Sequence, residues 1–204
     1  AYYPFNGNAN DESGNDHNGT VNGATLTTDR NGTAAKAYSF DGIDDYIDVL
    51  ESAKNTNFSF STPFSFSAWI KPSDVSNESI YRNDQDYLFY LDGGFLYGEI
   101  FEGSNYKKVK WLTPLTPNNW HHLSATWNGS EWKTFINGMS QNSITVDLTY
   151  ATTPKPTWIG RSSNHDGPFD GKIDDIRIYD RALSAAEVTR LNKLETPLPV
   201  IVSQ

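Results

Sequence analysis

Apolar and polar residues alternate with a period of two over much of the chain, the signature of strands with one buried and one outward face. In "PFSFSAWIKP" the alternation puts Phe64, Phe66, Ala68 and Ile70 on one face and Ser65, Ser67, Trp69 and Lys71 on the other, with a proline at each end. "DYLFYLDGGFLYGEIF" divides into two such strands around Asp92-Gly93-Gly94, which suits the positive φ of a tight primed turn. Its second half separates Leu96, Gly98 and Ile100 from Phe95, Tyr97, Glu99 and Phe101. "WHHLSATWNGSEWKTFING" predicts another hairpin at Asn128-Gly129, closed by Asn137-Gly138, and "PTWIGR" and "GKIDDIRIYD" predict further short strands. Helical marks occur in "SAAEVTRLNKL": Ser184 can cap, Glu187 completes a capping box, and Val188 and Leu191 share a face. Roughly a dozen strands and one short C-terminal helical turn predict an all-β fold, a two-sheet antiparallel jelly-roll sandwich.

Composition narrows the classes of function. The 204 residues fill one core, so a single domain over residues 1–194 is expected, with residues 195–204, interrupted by Pro197 and Pro199, as a tail or linker. No cysteine is present, which excludes disulfides and thiolate metal sites. The formal charge is −9 and the basic residues are scattered, so nucleic acid is not an expected partner. No apolar run approaches the length a bilayer requires, so membrane insertion is not expected either. Aromatic residues make up 14% of the chain, enough to leave some for a contact surface.

Several segments in order and spacing, "AYSFDGIDDYIDV", "PFSFSAWIKP", "NNWHHLSATWNGSEWKTFINGM", "TWIGR" and "FDGKIDDIRIYDRALSAAEV", resemble the laminin G-like domains of the concanavalin A-like lectin/glucanase superfamily. The likeness is to the bacterial type appended to secreted enzymes and adhesins, and it runs from Tyr2 to about Leu194. It implies a jelly roll, a structural calcium ion, and recognition of carbohydrate or protein at an extracellular or cell-surface location. It also implies a monomer within a larger protein.

The loop "GNANDESGNDHNG" is rich in oxygen donors and poor in apolar surface, as a hard cation requires. Asp11, Ser13 and Asn15 alternate as early calcium-loop ligands do, but no glutamate at the twelfth place and no flanking helices follow, which excludes an EF-hand. The resemblance implies instead that this loop meets an aspartate of "IDDIRIY" at one Ca2+. Alternation puts Asp174 on the apolar face with Ile176 and Ile178, and an unpaired charge there is costly, so Asp174 is the expected ligand beside Asp11.

For catalysis, no Glu-x-Asp-x-Glu strand is present, and Glu99 and Glu102 have the wrong parity to cooperate. His121 and His122 are adjacent on a strand and point to opposite faces, so they do not share a metal. The expected function is therefore a non-catalytic carbohydrate-binding module stabilised by calcium. The alternatives are a structural or protein-interaction domain of a large adhesin and, more remotely, a glycoside hydrolase. Tyr97, Glu99 and Phe101 are candidate ligand contacts because two aromatics flanking a carboxylate on an outward face need an explanation. Trp111 is added as a stacking contact and Tyr81, Arg82, Asp84 and Gln85 as the polar grip, with Arg161 and "SSNHDG" completing a rim. The net charge favours a neutral polysaccharide over a strongly anionic one.

Overall fold

A computed structural model describes residues 1–49, 62–83, 87–102, 105–146, 157–161 and 167–195, with the side chains of 83, 87, 101, 102, 105, 194 and 195 left aside. The larger sheet runs β13 (Met139–Thr145), β12 (Glu131–Ile136), β11 (His121–Trp127), β6 (Phe64–Pro72), β15 (Asp170–Tyr179), β4 (Ala37–Asp41), β3 (Thr25–Thr27), and β1 (Tyr2–Tyr3) also pairs with β15. The second sheet runs β10 (Asn105–Lys110), β9 (Phe95–Glu102), β8 (Tyr87–Asp92), β7 (Glu78–Asn83), β14 (Thr157–Ile159), β5 (Tyr46–Asp48), β2 (Thr20–Asn22). All the ladders between these strands are antiparallel. The two sheets form the expected sandwich.

The predicted inward set of β6 is buried as one row: Phe64, Phe66, Ala68 and Ile70 all lie in the core. Phe66 stacks on Phe89 of the opposite sheet at 4.6 Å and 15°, and Trp111 and Trp132 each meet the edge of Phe89 at 6.1 Å. Gly98 makes that packing possible. A Cβ there would stand 2.7 Å from the Trp132 ring, so only hydrogen fits beneath the two indoles. Truncating a buried aromatic of this kind costs about 3–5 kcal/mol.

The turns follow their residue chemistry. Asp92 pairs with Phe95, leaving Gly93 and Gly94 at φ 56° and 86°, and Ile136 pairs with Met139 across Asn137 and Gly138 at 51° and 75°. Both are two-residue loops with positive φ, whose twist matches the strands they join. The helix α1 (Ala185–Glu195) has 11 residues, longer than one or two turns. Its capping box is formed: Ser184 N–H and Oγ–H donate to Glu187 Oε2, and Glu187 N–H returns a bond to Ser184 Oγ. Val188 and Leu191 bury against Phe135 and Leu183 and fix α1 to the outer side of the larger sheet.

Strict alternation fails at three places, one of them between Thr134 and Phe135 on the β12–β13 ladder. Between Asp174 and Arg177 the β15 ladder takes one extra residue relative to β6, with Asp175 at φ 50°. A second irregularity separates Ser79 from Tyr81 in β7. Each bulge inverts the facing of everything beyond it. The tail beyond residue 195 lies outside the described residues.

Candidate functional site

Leu96 and Ile100 face the core, so Tyr97 and Glu99 lie on the outer face of the seven-stranded sheet as expected. Tyr97 stacks on its cross-strand partner Tyr90 at 5.4 Å and 18°, and the Tyr90 hydroxyl donates to Glu99 Oε1 at 2.8 Å. Lys108 Nζ stands 2.7 Å from the same oxygen and 5.0 and 5.1 Å from the centres of the Tyr90 and Tyr97 rings. Lys110 Nζ lies 3.4 Å from the Phe95 ring centre. The buried Tyr90 and half-buried Tyr97 therefore carry a cation and a carboxylate held in fixed positions.

Following the registers across the sheet extends this patch. Asp48, Trp158, Arg82, Leu88, Glu99 and Lys108 are successive cross-strand partners on β5, β14, β7, β8, β9 and β10. Five strand spacings make this row about 24 Å wide. At its other side the Arg161 guanidinium lies 4.4 Å over the Tyr46 ring and 5.2 Å over that of Trp158. Arg82, between the two aromatic groups, is only 9% exposed, and its Nε is buried without a hydrogen-bond partner. None of the ion pairs resolved among the described residues joins it to a carboxylate.

Two expected contacts are corrected. Tyr81 is fully buried and packs 4.9 Å from Phe66, because the β7 bulge turns it into the core. Trp111 is 1% exposed, and its Nε1–H donates to the Phe135 carbonyl at 3.1 Å inside the sandwich. Its parity with Val109 was the available sign, since both are buried. The Phe101 side chain, Asp84, Gln85 and residues 162–166 lie outside the described residues. Sequence reasoning passed over Tyr90, Phe95, Lys108 and Lys110, although the lysines alternate with inward Val109 in "YKKVKW".

The donors expected for calcium have different partners. Asp11 Oδ1 accepts the N–H groups of Tyr2 (2.8 Å) and Ser13 (2.9 Å), Oδ2 accepts that of His17 (3.2 Å), and Asn15 Nδ2 donates to Ser13 Oγ (2.8 Å). Burial pushes the Asp11 carboxyl up, and these backbone donors outweigh it and hold it below its ordinary value. Asp174 instead meets the Arg30 guanidinium, whose other nitrogen reaches Asp175 Oδ2 at 3.1 Å, while Arg177 Nε reaches Asp175 Oδ1 at 2.9 Å. Arg30 also lies 5.1 Å over the Trp69 ring. Burial pushes the Asp174 carboxyl up to about 7, against the pull of Arg30. The bulge undoes the alternation that assigned Asp174 to the face of Ile176. Because a guanidinium already sits on the acid pair, Asp11 and Asp174 do not fit a shared divalent ion. The acids that do converge among the described residues are Asp41, Asp44 and Asp45, with oxygens within 4.8 Å of one another. Asp41 Oδ1 is used by the Ile43 and Asp44 N–H groups and Asp45 Oδ2 by that of Asp41, which accounts for the cluster as a turn.

A family model, the laminin G-like one of the concanavalin A-like lectin/glucanases superfamily, matches residues 40–189, and the chain belongs to that family. Solved structures share the fold. Domain 4 of AbnA, an extracellular arabinanase of Geobacillus stearothermophilus solved in complex with arabinotriose, is 24% identical with a TM-score of 0.75, over 94% of this chain and 97% of that one. The binding domain of Paraclostridial Mosquitocidal Protein 1 is 22% identical with a TM-score of 0.74, over 90% of this chain and 48% of that one. The botulinum neurotoxin serotype D binding domain is 20% identical with a TM-score of 0.74, over 91% and 49%. The chain thus spans about half of the toxin binding domains and nearly all of the arabinanase domain. No curated protein sequence matches it. Among the described residues no helix is long and apolar enough to cross a membrane.

Proposed function

We propose that the domain is a non-catalytic carbohydrate-binding module acting outside the cell, with its ligand on the outer face of the seven-stranded sheet. The observation that carries this reading is the row Asp48, Trp158, Arg82, Leu88, Glu99 and Lys108 beside the stacked Tyr90 and Tyr97 rings. Sugars are held by apolar ring faces lying on aromatic side chains and by carboxylates and cations reaching their hydroxyls. This row supplies both, already oriented. A neighbouring fold solved with arabinotriose supports the same use.

Hydrolysis is disfavoured by spacing. The two acids of the row, Asp48 and Glu99, are four strands apart, about 19 Å, whereas glycoside cleavage needs carboxyl groups roughly 5–10 Å apart. Glu99 is also neutralised by Lys108. Such a module would tether a neighbouring enzyme or adhesin to its polymer and raise the local concentration.

In place of the expected calcium, the reading assigns Arg30 as the group that neutralises Asp174 and Asp175. The melting temperature should then be the same in EDTA and in calcium; a rise of several degrees with calcium would restore the ion.

The function is tested on a glycan array with the wild-type chain, Tyr97→Ala and Trp158→Ala. Wild-type binding to a defined glycan, weakened about tenfold in either variant, is expected. If the array stays silent, a protein-interaction role replaces the carbohydrate reading.

A further inference from the structure

Arg82 stands at the centre of the row and is only 9% exposed, and its Nε is buried with no acceptor. A buried cation without a counter-charge is destabilising, and an unsatisfied buried donor in a folded protein calls for a specific reason. The row supplies the setting. Trp158 and Leu88 are its immediate cross-strand neighbours, a flat ring on one side and an aliphatic wall on the other. The nearest acids of the row, Asp48 and Glu99, are each two strands away, and none of the ion pairs resolved among the described residues joins either to Arg82.

Charge on this face runs against that of the chain. The whole molecule carries −9, but Arg82, Arg161 and Lys110 gather here, and none is joined to a carboxylate by an ion pair resolved among the described residues. Arg161 and Lys110 are set in place by the rings beneath them. Net charge is a poor guide at this scale, because charges more than about 10 Å apart are screened in salt.

Resting on the carbohydrate reading above, we propose that the ligand is a carboxylated glycan, a uronate-containing chain, whose carboxylate is received by Arg82 beside Trp158. A planar guanidinium pairs with a carboxylate through two parallel N–H bonds, and a sugar ring carrying that carboxylate has an apolar face for the indole. Asp48 and Glu99 flank the same row, at a distance suited to accepting bonds from ring hydroxyls. Those two acids repel a densely sulfated polymer, whereas a single carboxylate per sugar lies between them. The neutral-glycan expectation drawn from overall charge is reversed by this local arrangement.

Titration calorimetry with oligogalacturonate, its methyl ester, a neutral arabino-oligosaccharide and dextran sulfate tests the assignment on the wild-type chain, Arg82→Gln and Arg82→Lys. Wild type should prefer oligogalacturonate over the methyl ester by about tenfold, and Arg82→Gln should abolish that preference. Arg82→Lys keeps the charge without the fork and should retain only part of it; this also covers the case in which the glutamine variant fails to fold. Equal binding of acid and ester by wild type, or an unchanged preference in Arg82→Gln, overturns the carboxylate assignment while leaving a glycan site standing. Tighter binding of dextran sulfate overturns it in favour of sulfate. Silence with every probe overturns both the assignment and the carbohydrate reading beneath it.

Discussion

The outer faces of the two sheets have been treated in opposite ways. On the eight-stranded sheet, Trp69 is 5% exposed, covered by Arg30 on one side and packed against the His122 ring at 5.2 Å on the other. Around it Ser65, Ser67, Ser124, Asp174 and Asp175 are all buried, and α1 seals the end through Phe135. Burial pushes His122 down to about 3, with Arg30 and Arg177 adding to the effect, so its ring is neutral and acts as packing. The arginines there are matched by aspartates. On the seven-stranded sheet the rings of Tyr97, Phe95, Trp158 and Tyr46 stay partly open, and among the described residues the ion pair resolved beside them is that of Lys108 with Glu99. The same residue types thus build a closed structural layer on one side and an open, oriented surface on the other. Pairing distinguishes them, more than composition does.

The largest effect is expected from breaking the closed side. Arg30→Ala leaves two buried aspartates without their shared partner, at a cost of about 3–5 kcal/mol. Thermal unfolding should fall by roughly 10 °C for a domain of this size, while glycan binding by the folded fraction is unchanged. A fall smaller than a few degrees would show that the aspartates are neutralised some other way.

Glu78 separates stability from binding within one strand. It lies on β7 with Arg82 but faces inward beside Leu91, and burial, with a hydrogen bond to Asp74, pushes its carboxyl up to about 8. The native state therefore holds a proton that the unfolded chain releases near its ordinary value of 4.5. The stabilisation is complete below that value and is lost as pH rises through about 8, so urea-measured stability should decline between these two pH values. Glu78→Gln should flatten that decline and gain about 2 kcal/mol at the upper end, with affinity for glycan unaltered.

On the open side, Trp158→Ala should cost binding about 1.4 kcal/mol, a tenfold change, with little loss of stability. An equal loss from Trp69→Ala would erase the distinction between the faces. The smallest effect is expected at the helix that closes the structural side. Ser184→Ala removes the cap of α1 and should cost about 1 kcal/mol, a few degrees in a thermal melt, without touching affinity.

The fold was readable wherever alternation ran uninterrupted. Phe64 to Ile70, the Gly93-Gly94 and Asn137-Gly138 turns and the Ser184–Glu187 box each carry their own local cause. The site was readable in part, because Tyr97 and Glu99 sit on such a strand. Two of the errors, at Tyr81 and Asp174, sit at bulges. One extra residue in "IDDIR" or "SIY" leaves no mark on composition, yet it turned Tyr81 inward and removed Asp174 from the face to which parity had assigned it. Arg30 was beyond local reading for another reason: its partner lies 144 residues away. Cross-strand rows such as Trp158, Arg82 and Leu88 are likewise set by register between distant segments, which no single stretch of sequence contains.

The most direct test follows the indole N–H resonances of a nitrogen-labelled chain during titration with oligogalacturonate. Trp158, on the open face, should shift and saturate, while Trp69, on the closed face, should hold its position. Movement of Trp69 with Trp158 unmoved would contradict the account and place the ligand on the other sheet.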